Sequence, residues 1–169
     1  MSTRDTKQDL GLLADFMCFS VYSTNLAYSR VYRPVLEKLG VTYPQYIAIV
    51  SLWEQDKQTV NELSEKLFLE PSTVTPMLKK LEAQGYLTRT RDEKDERVVR
   101  IALTEKGRQT RLQAAEYSQL TVQASGLDKA QFRKLQREIA SLRDNLTRAA
   151  TSARAMESSD LLKSEHDEK

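Results

Sequence analysis

Residues 59–103 read TVNELSEKLFLEPSTVTPMLKKLEAQGYLTRTRDEKDERVVRIAL, and the changes of period within this stretch decide the fold. Thr59 and Glu62 stand three apart, the spacing at which a hydroxyl and a carboxylate satisfy each other's orphan amides at a helix start. The pattern predicts a helix over Val60 to Leu67. From Pro71 to Gln84 the apolar residues Val74, Met77, Leu78 and Leu81 fall on one side of a second helix, and Gly85 ends it. Pro76 withholds a backbone donor inside that segment, so either its first turns are bent or the regular helix begins near Thr75. Past Gly85 the period shortens to two. Tyr86 to Arg91 and Arg97 to Leu103 alternate apolar or β-branched residues with basic ones, as half-buried strands do, and Asp92 to Glu96 would be the hairpin tip.

The order helix, turn, helix, basic hairpin predicts a winged helix-turn-helix lobe over 41–103, and with it a reader of double-stranded DNA. In such a lobe the second helix enters the major groove by its N-terminal residues. Here these are Ser72, Thr73, Thr75 and Pro76, with Lys79 and Lys80 further along. Ser and Thr can bond base edges or phosphates, and a helix N-terminus favours a phosphate oxygen. Arg97 is long enough to reach a minor groove from the hairpin end, and Arg89 adds a cation on the first strand.

Outward from the lobe, Thr42 with Gln45 and Asp128 with Gln131 repeat the capping spacing, which places helices at about Tyr43 to Glu54 and Lys129 to Thr151. Thr104 caps another, through about Ser125. Leu10 to Val31 reads as a long first helix that Arg33-Pro34 interrupts or kinks before Val35 to Leu39, with Gly40 as the stop. In the last helix Phe132, Leu135, Ile139, Leu142, Leu146 and Ala149 recur at three and four, a heptad seam suited to dimerisation. A homodimer would hold two reading helices about 34 Å apart, one turn of DNA, and so fit a palindromic operator. The expected architecture is mainly α with a small β-hairpin wing. Long N- and C-terminal dimerisation helices (10–40 and 104–153) flank the lobe, and 154–169, small and charged, forms a disordered tail.

Composition narrows the function classes. The 169 residues carry a net charge of +2, yet from Met77 to Arg111 Lys and Arg number 10 against 6 acids, whereas Ala155 to Lys169 holds five acids against two lysines. The basic surplus therefore falls on the reading helix and wing. No stretch has the roughly 20 apolar residues of a membrane span, and the N-terminus lacks a secretory apolar core, so a cytoplasmic protein is expected. One cysteine and one histidine, His166 in the charged tail, argue against metal sites, cofactor chemistry and histidine-based catalysis.

That one cysteine, Cys18, lies among Phe16, Met17, Phe19 and Tyr22, with Tyr28, Tyr32 and Tyr43 close behind. A lone cysteine is commonly a small buried hydrophobe. A phenol, however, can donate its hydroxyl hydrogen to a thiolate and favour the ionised sulfur. Two resemblances bear on the choice. Leu63 to Gly107 resembles the MarR family, whose wing signature Asp-x-Arg-Asp-x-Arg appears as Asp92-Glu93-Lys94-Asp95-Glu96-Arg97. This implies that Asp95 orients Arg97 for the minor groove; Lys94 departs from the pattern. Met17-Cys18-Phe19-Ser20-Val21-Tyr22, Tyr32-Arg33-Pro34 and Leu39 to Tyr46 resemble the organic hydroperoxide resistance branch of that family.

The branch implies that Cys18 is a redox sensor to which Tyr32 and Tyr43 of the other subunit bond, with Tyr22 a further candidate. It implies a repressor released from DNA when an organic hydroperoxide oxidises Cys18. With no second cysteine, a low-molecular-weight thiol would have to cap the oxidised sulfur. Two rivals stand beside this reading. One is a MarR-type repressor released by a phenolic or drug-like ligand. The other is a one-cysteine peroxidase, for which no phosphate loop, paired carboxylates or resolving cysteine speaks.

Overall fold

The computed structural model describes residues 12–92 and 94–167, and only the backbone course of 112–118 and 154–167. In chain order the elements are α1 (Met17–Leu39), α2 (Tyr43–Glu54), β1 (Gln58–Thr59), α3 (Val60–Leu67), α4 (Pro71–Ala83), β2 (Leu87–Arg91), β3 (Val99–Leu103), α5 (Glu105–Ala124) and α6 (Lys129–Asp167). The three predicted capping pairs each open a helix. Thr42 N–H donates to Gln45 Oε1 at 2.8 Å, Thr59 and Glu62 exchange bonds of 2.6 and 3.1 Å, and Asp128 Oδ1 accepts from Ala130 and Gln131. Each such cap is worth about 1 kcal/mol.

The chain divides into two compact units, one through Thr121 and one from Val122. In the first, α2, α3 and α4 pack with the sheet around a cluster that includes Val41, Ile49, Leu52, Leu63, Val74, Leu78, Leu81, Leu87 and Ile101. Burying each of the larger side chains contributes about 2 kcal/mol. The turn between α3 and α4 is made by Phe68 at φ 55°, a left-handed conformation more usual for glycine. Leu87, Ile101 and Leu103 face inward from the hairpin, in the register Leu87↔Leu103, Arg89↔Ile101 and Arg91↔Val99.

The expected hairpin wing is present as β2–β3, and β1 adds to it by pairing with β3, giving an antiparallel sheet of order β1-β3-β2. Two residues are too short to show a period, but Gln58 is fixed by its side chain, which bonds the Ser51 and Gln55 carbonyls. The first helix starts at Met17, after a short 3₁₀ turn over Leu13–Asp15 in which Asp15 accepts from Leu12 N–H; the proposed start, Leu10, lies outside the described residues. Pro34 does not interrupt α1. Arg30, whose carbonyl loses its donor to Pro34, is exposed, so water can satisfy it. Likewise α4 is helical from Pro71 through Pro76: Ser72, whose carbonyl loses its donor to Pro76, is an exposed residue that water can reach. α6 continues to Asp167, past Thr151 and through the segment expected to be disordered, since no Gly or Pro follows Gly126 to stop it. Among the described residues no helix is long and apolar enough to cross a membrane.

Candidate functional site

Helical period divides α4 into two faces. Val74, Met77, Leu78 and Leu81 are buried in the lobe, so Ser72, Thr73, Pro76, Lys79 and Lys80 are left together on the exposed side. Thr75 is half-buried, and its hydroxyl donates to the Pro71 carbonyl at 2.8 Å. The helix start offers less to a phosphate than its position suggests. Pro71 has no N–H, and the amides of Thr73 and Val74 already donate to the Glu70 carbonyl at 2.8 and 3.1 Å. Ser72 N–H remains as a first-turn donor.

The wing tip is organised by carboxylates. Asp92 accepts from the backbone of Lys94 and Asp95 and pairs with the Arg100 guanidinium, which holds its carboxyl below the usual range. Arg100 reaches on to the Lys57 carbonyl at 3.1 Å and so braces the tip against the turn before β1. Asp95 Oδ1 accepts from the backbone N–H of Arg97 at 3.0 Å, fixing the turn rather than the guanidinium; the Arg97 side chain is exposed. Arg89, expected as a further DNA-contacting cation, is tied within the lobe. It is half-buried, 3.7 Å from Glu82 Oε2, and its backbone N–H bonds the other oxygen of the same carboxylate. Strand alternation could not have revealed this, because the partner sits on the preceding helix.

The second cluster is aromatic. Tyr32 on α1 and Tyr43 at the start of α2 lie with ring centroids 5.2 Å apart, and Tyr46 is 6.0 Å from Tyr32. Burial raises the Tyr32 phenol above its ordinary value, Tyr43 and Tyr28 add to the rise, and a hydrogen bond with Thr121 on α5 offsets part of it. Tyr43 is raised by burial and by Tyr28. Both are therefore protonated donors at neutral pH. Thr121 and Tyr46 were missed from the sequence, and a threonine 89 positions from Tyr32 gives no local signal.

Cys18 is exposed. Around it Phe16, Met17, Val21, Tyr22 and Leu26 are also open, at 41–66 %. Cys18, Tyr22 and Leu26 follow at intervals of four, so they share one face of α1. Tyr32 is 14 residues further along the same helix, about 21 Å at 1.5 Å per residue. One chain therefore does not bring its own thiol to its own Tyr32.

Residues 30–112 match the family described as transcriptional regulator SarA/Rot. The organic hydroperoxide resistance transcriptional regulator of Bacillus subtilis (strain 168) is 46% identical over 103 residues, which is 61% of this chain and 70% of that protein. The regulator TtmR of Methylorubrum extorquens (strain PA1) is 40% identical over 130 residues, 77% of this chain and 67% of that protein. Reduced AbfR solved on DNA, a protein of Staphylococcus epidermidis, superposes with a TM-score of 0.69 at 32% identity, covering 80% of this chain and 92% of that one. The chain belongs to the MarR family, in its organic hydroperoxide resistance branch. As a MarR-family transcriptional regulator it has the expected mainly α winged-helix fold, with the β2–β3 hairpin as its wing.

Proposed function

We propose that this regulator is a cytoplasmic repressor that binds palindromic double-stranded DNA as a homodimer and is released when an organic hydroperoxide oxidises Cys18. The observation that carries the reading is the separation of sulfur and phenols: an exposed thiol on an apolar face of α1, with the Tyr32–Tyr43 pair about 21 Å along the same helix. A second copy, laid antiparallel against α1, covers the apolar face and brings its phenols to the first copy's sulfur. The seam on α6 supplies a further dimerisation surface, with Leu135, Ile139 and Leu146 exposed and Phe132 and Leu142 half-buried. AbfR lends support to a redox role, having been solved reduced and overoxidised on DNA and in a disulfide form.

In the dimer the phenols of Tyr32 and Tyr43 donate to the Cys18 thiolate, with Tyr22 one turn away. The thiolate attacks the distal oxygen of ROOH. An S–O bond forms as the O–O bond breaks, the sulfur loses two electrons and becomes a sulfenic acid, and the alkoxide leaves and takes up a proton as the alcohol. The added hydroxyl displaces the phenols and shifts the two α4 helices out of register with the grooves. A coupling of about 1–3 kcal/mol, roughly 5- to 150-fold in affinity, is enough. A low-molecular-weight thiol then condenses with the sulfenic acid to a mixed disulfide, losing water, because the chain has no second cysteine. On the DNA, Ser72, Thr73, Thr75 and Pro76 meet base edges, Lys79 and Lys80 meet phosphates, and Arg97 enters the minor groove.

Gel shift on palindromic DNA taken from beside the protein's own gene, with and without cumene hydroperoxide, tests the reading. Wild type should bind and be released, and Cys18→Ser should bind and stay bound. Release of Cys18→Ser by the oxidant removes the sensor role, and release of wild type by a phenolic acid alone favours the ligand-responsive rival.

A further inference from the structure

The three residues that join α4 to β2 are held from two sides. At the C-terminus of α1, Gly40 adopts φ 64° and closes the helix, leaving the last carbonyls without helical partners. Tyr86 Oη donates to the Leu39 carbonyl at 2.5 Å, and Gln84 Nε2 donates to the Gly40 carbonyl at 2.8 Å. From the other side, the start of α5 grips the same residues. Thr104 Oγ1 donates to the Gly85 carbonyl at 2.7 Å, Thr104 N–H donates to the Tyr86 carbonyl at 3.1 Å, and Lys106 Nζ bonds the Gln84 carbonyl while lying 4.2 Å above the Tyr86 ring. The reading helix ends in this knot and the wing begins in it.

We propose that the Tyr86 hydroxyl is the positioning contact through which displacement of α1 reaches α4 and the wing. This rests on the sensing role proposed for Cys18. Cys18 and Leu39 lie 21 residues apart on one unbroken helix, about 32 Å, so α1 acts as a rigid lever with the thiol at one end and the Tyr86 bond at the other. The hydroxyl is spent on a main-chain acceptor of α1, whereas the ring remains packed whether or not the oxygen is there: Tyr86 is 4 % exposed. Removing the oxygen alone therefore loosens the lever from the reading head and leaves the core filled. Gln84 is the second strand of the same joint.

The test uses full-length protein, reduced and cumene-hydroperoxide-treated, as wild type, Tyr86→Phe and Gln84→Met. Two quantities are read: the ratio of operator Kd oxidised to reduced, and the rate of sulfenic-acid formation at Cys18. A merely structural Tyr86 would move reduced affinity or thermal stability and leave the ratio alone. The expected result is unchanged oxidation rate, reduced Kd within about 3-fold of wild type, and an oxidised-to-reduced ratio cut about 5-fold by Tyr86→Phe, the worth of one hydrogen bond of ordinary strength. Gln84→Met should move the ratio in the same direction. A large wild-type ratio retained in both variants overturns the joint alone. A wild-type ratio near one removes the sensing role and the joint with it.

Discussion

Gly107→Ala is a one-carbon perturbation whose sign separates local propensity from packing. Gly107 lies in the first turn of α5, and a Cβ there would meet the Tyr86 carbonyl oxygen at 2.1 Å and Leu103 Cδ2 at 2.9 Å. A carbon and a carbonyl oxygen rest about 3.3 Å apart, so α5 or the α4–β2 joint must give by about 1 Å. That displacement falls on the bonds that hold this turn: Thr104 N–H to the Tyr86 carbonyl at 3.1 Å, and Trp53 Nε1 to the Gly107 carbonyl at 2.8 Å. Losing two or three such bonds at about 1 kcal/mol each outweighs the ~1 kcal/mol by which alanine exceeds glycine in a helix. The net expectation is about 1–2 kcal/mol of destabilisation, or a Tm lowered by about 2–8 °C for a chain of this size. Thermal unfolding of the reduced protein by circular dichroism measures it. A variant as stable as wild type, or more stable, would show that helix propensity governs this position and that the close approach to Tyr86 is not a constraint.

Arg97→Ala should weaken operator binding about 10-fold and reduce the slope of log K against log salt by about 0.9, the signature of one lost phosphate-region contact. Arg89→Ala, which removes the partner of Glu82, should leave that slope within 0.3 of wild type while lowering stability; titrations at several salt concentrations separate the two, and equal slope changes would refute the placement of Arg89. The raised phenols of Tyr32 and Tyr43 predict an alkaline limit. Their folded values exceed the ordinary tyrosine value near 10, so the stability they contribute is complete below about pH 10 and is lost as pH rises through the folded values. Denaturant titrations between about pH 8 and pH 11 should show a fall that is shallower in the Tyr32→Phe/Tyr43→Phe double variant; an unchanged fall would show that other groups set it.

Where order came from backbone chemistry, the sequence was readable. The Thr59–Glu62 and Asp128–Gln131 pairs and the stops at Gly40 and Gly85 mark helix ends through local bonds, and the structure places the ends there. The outward face of α4 followed from its apolar period in the same way. What escaped depended on partners distant in the chain. Arg89 turns to Glu82, Tyr32 to Thr121, and Gly107 is required by the Tyr86 carbonyl. Pro34 misled because the cost of a proline inside a helix depends on whether the orphaned carbonyl is solvated, a tertiary fact. The proposed trans arrangement of sulfur and phenols came from resemblance; the length of α1 adds that Cys18 and Tyr32 of one chain lie about 21 Å apart.

Mixed dimers put that arrangement to the most direct measurement. A Cys18→Ser chain paired with a Tyr32→Phe/Tyr43→Phe chain contains one thiol that can meet intact phenols only across the interface. Wild type paired with a chain carrying all three substitutions contains one thiol whose intact phenols are only in its own chain. The rate of Cys18 oxidation by cumene hydroperoxide should match wild type in the first pairing and match the all-Phe homodimer in the second. The reverse order of rates would place the phenols in the same chain as the sulfur and contradict the account.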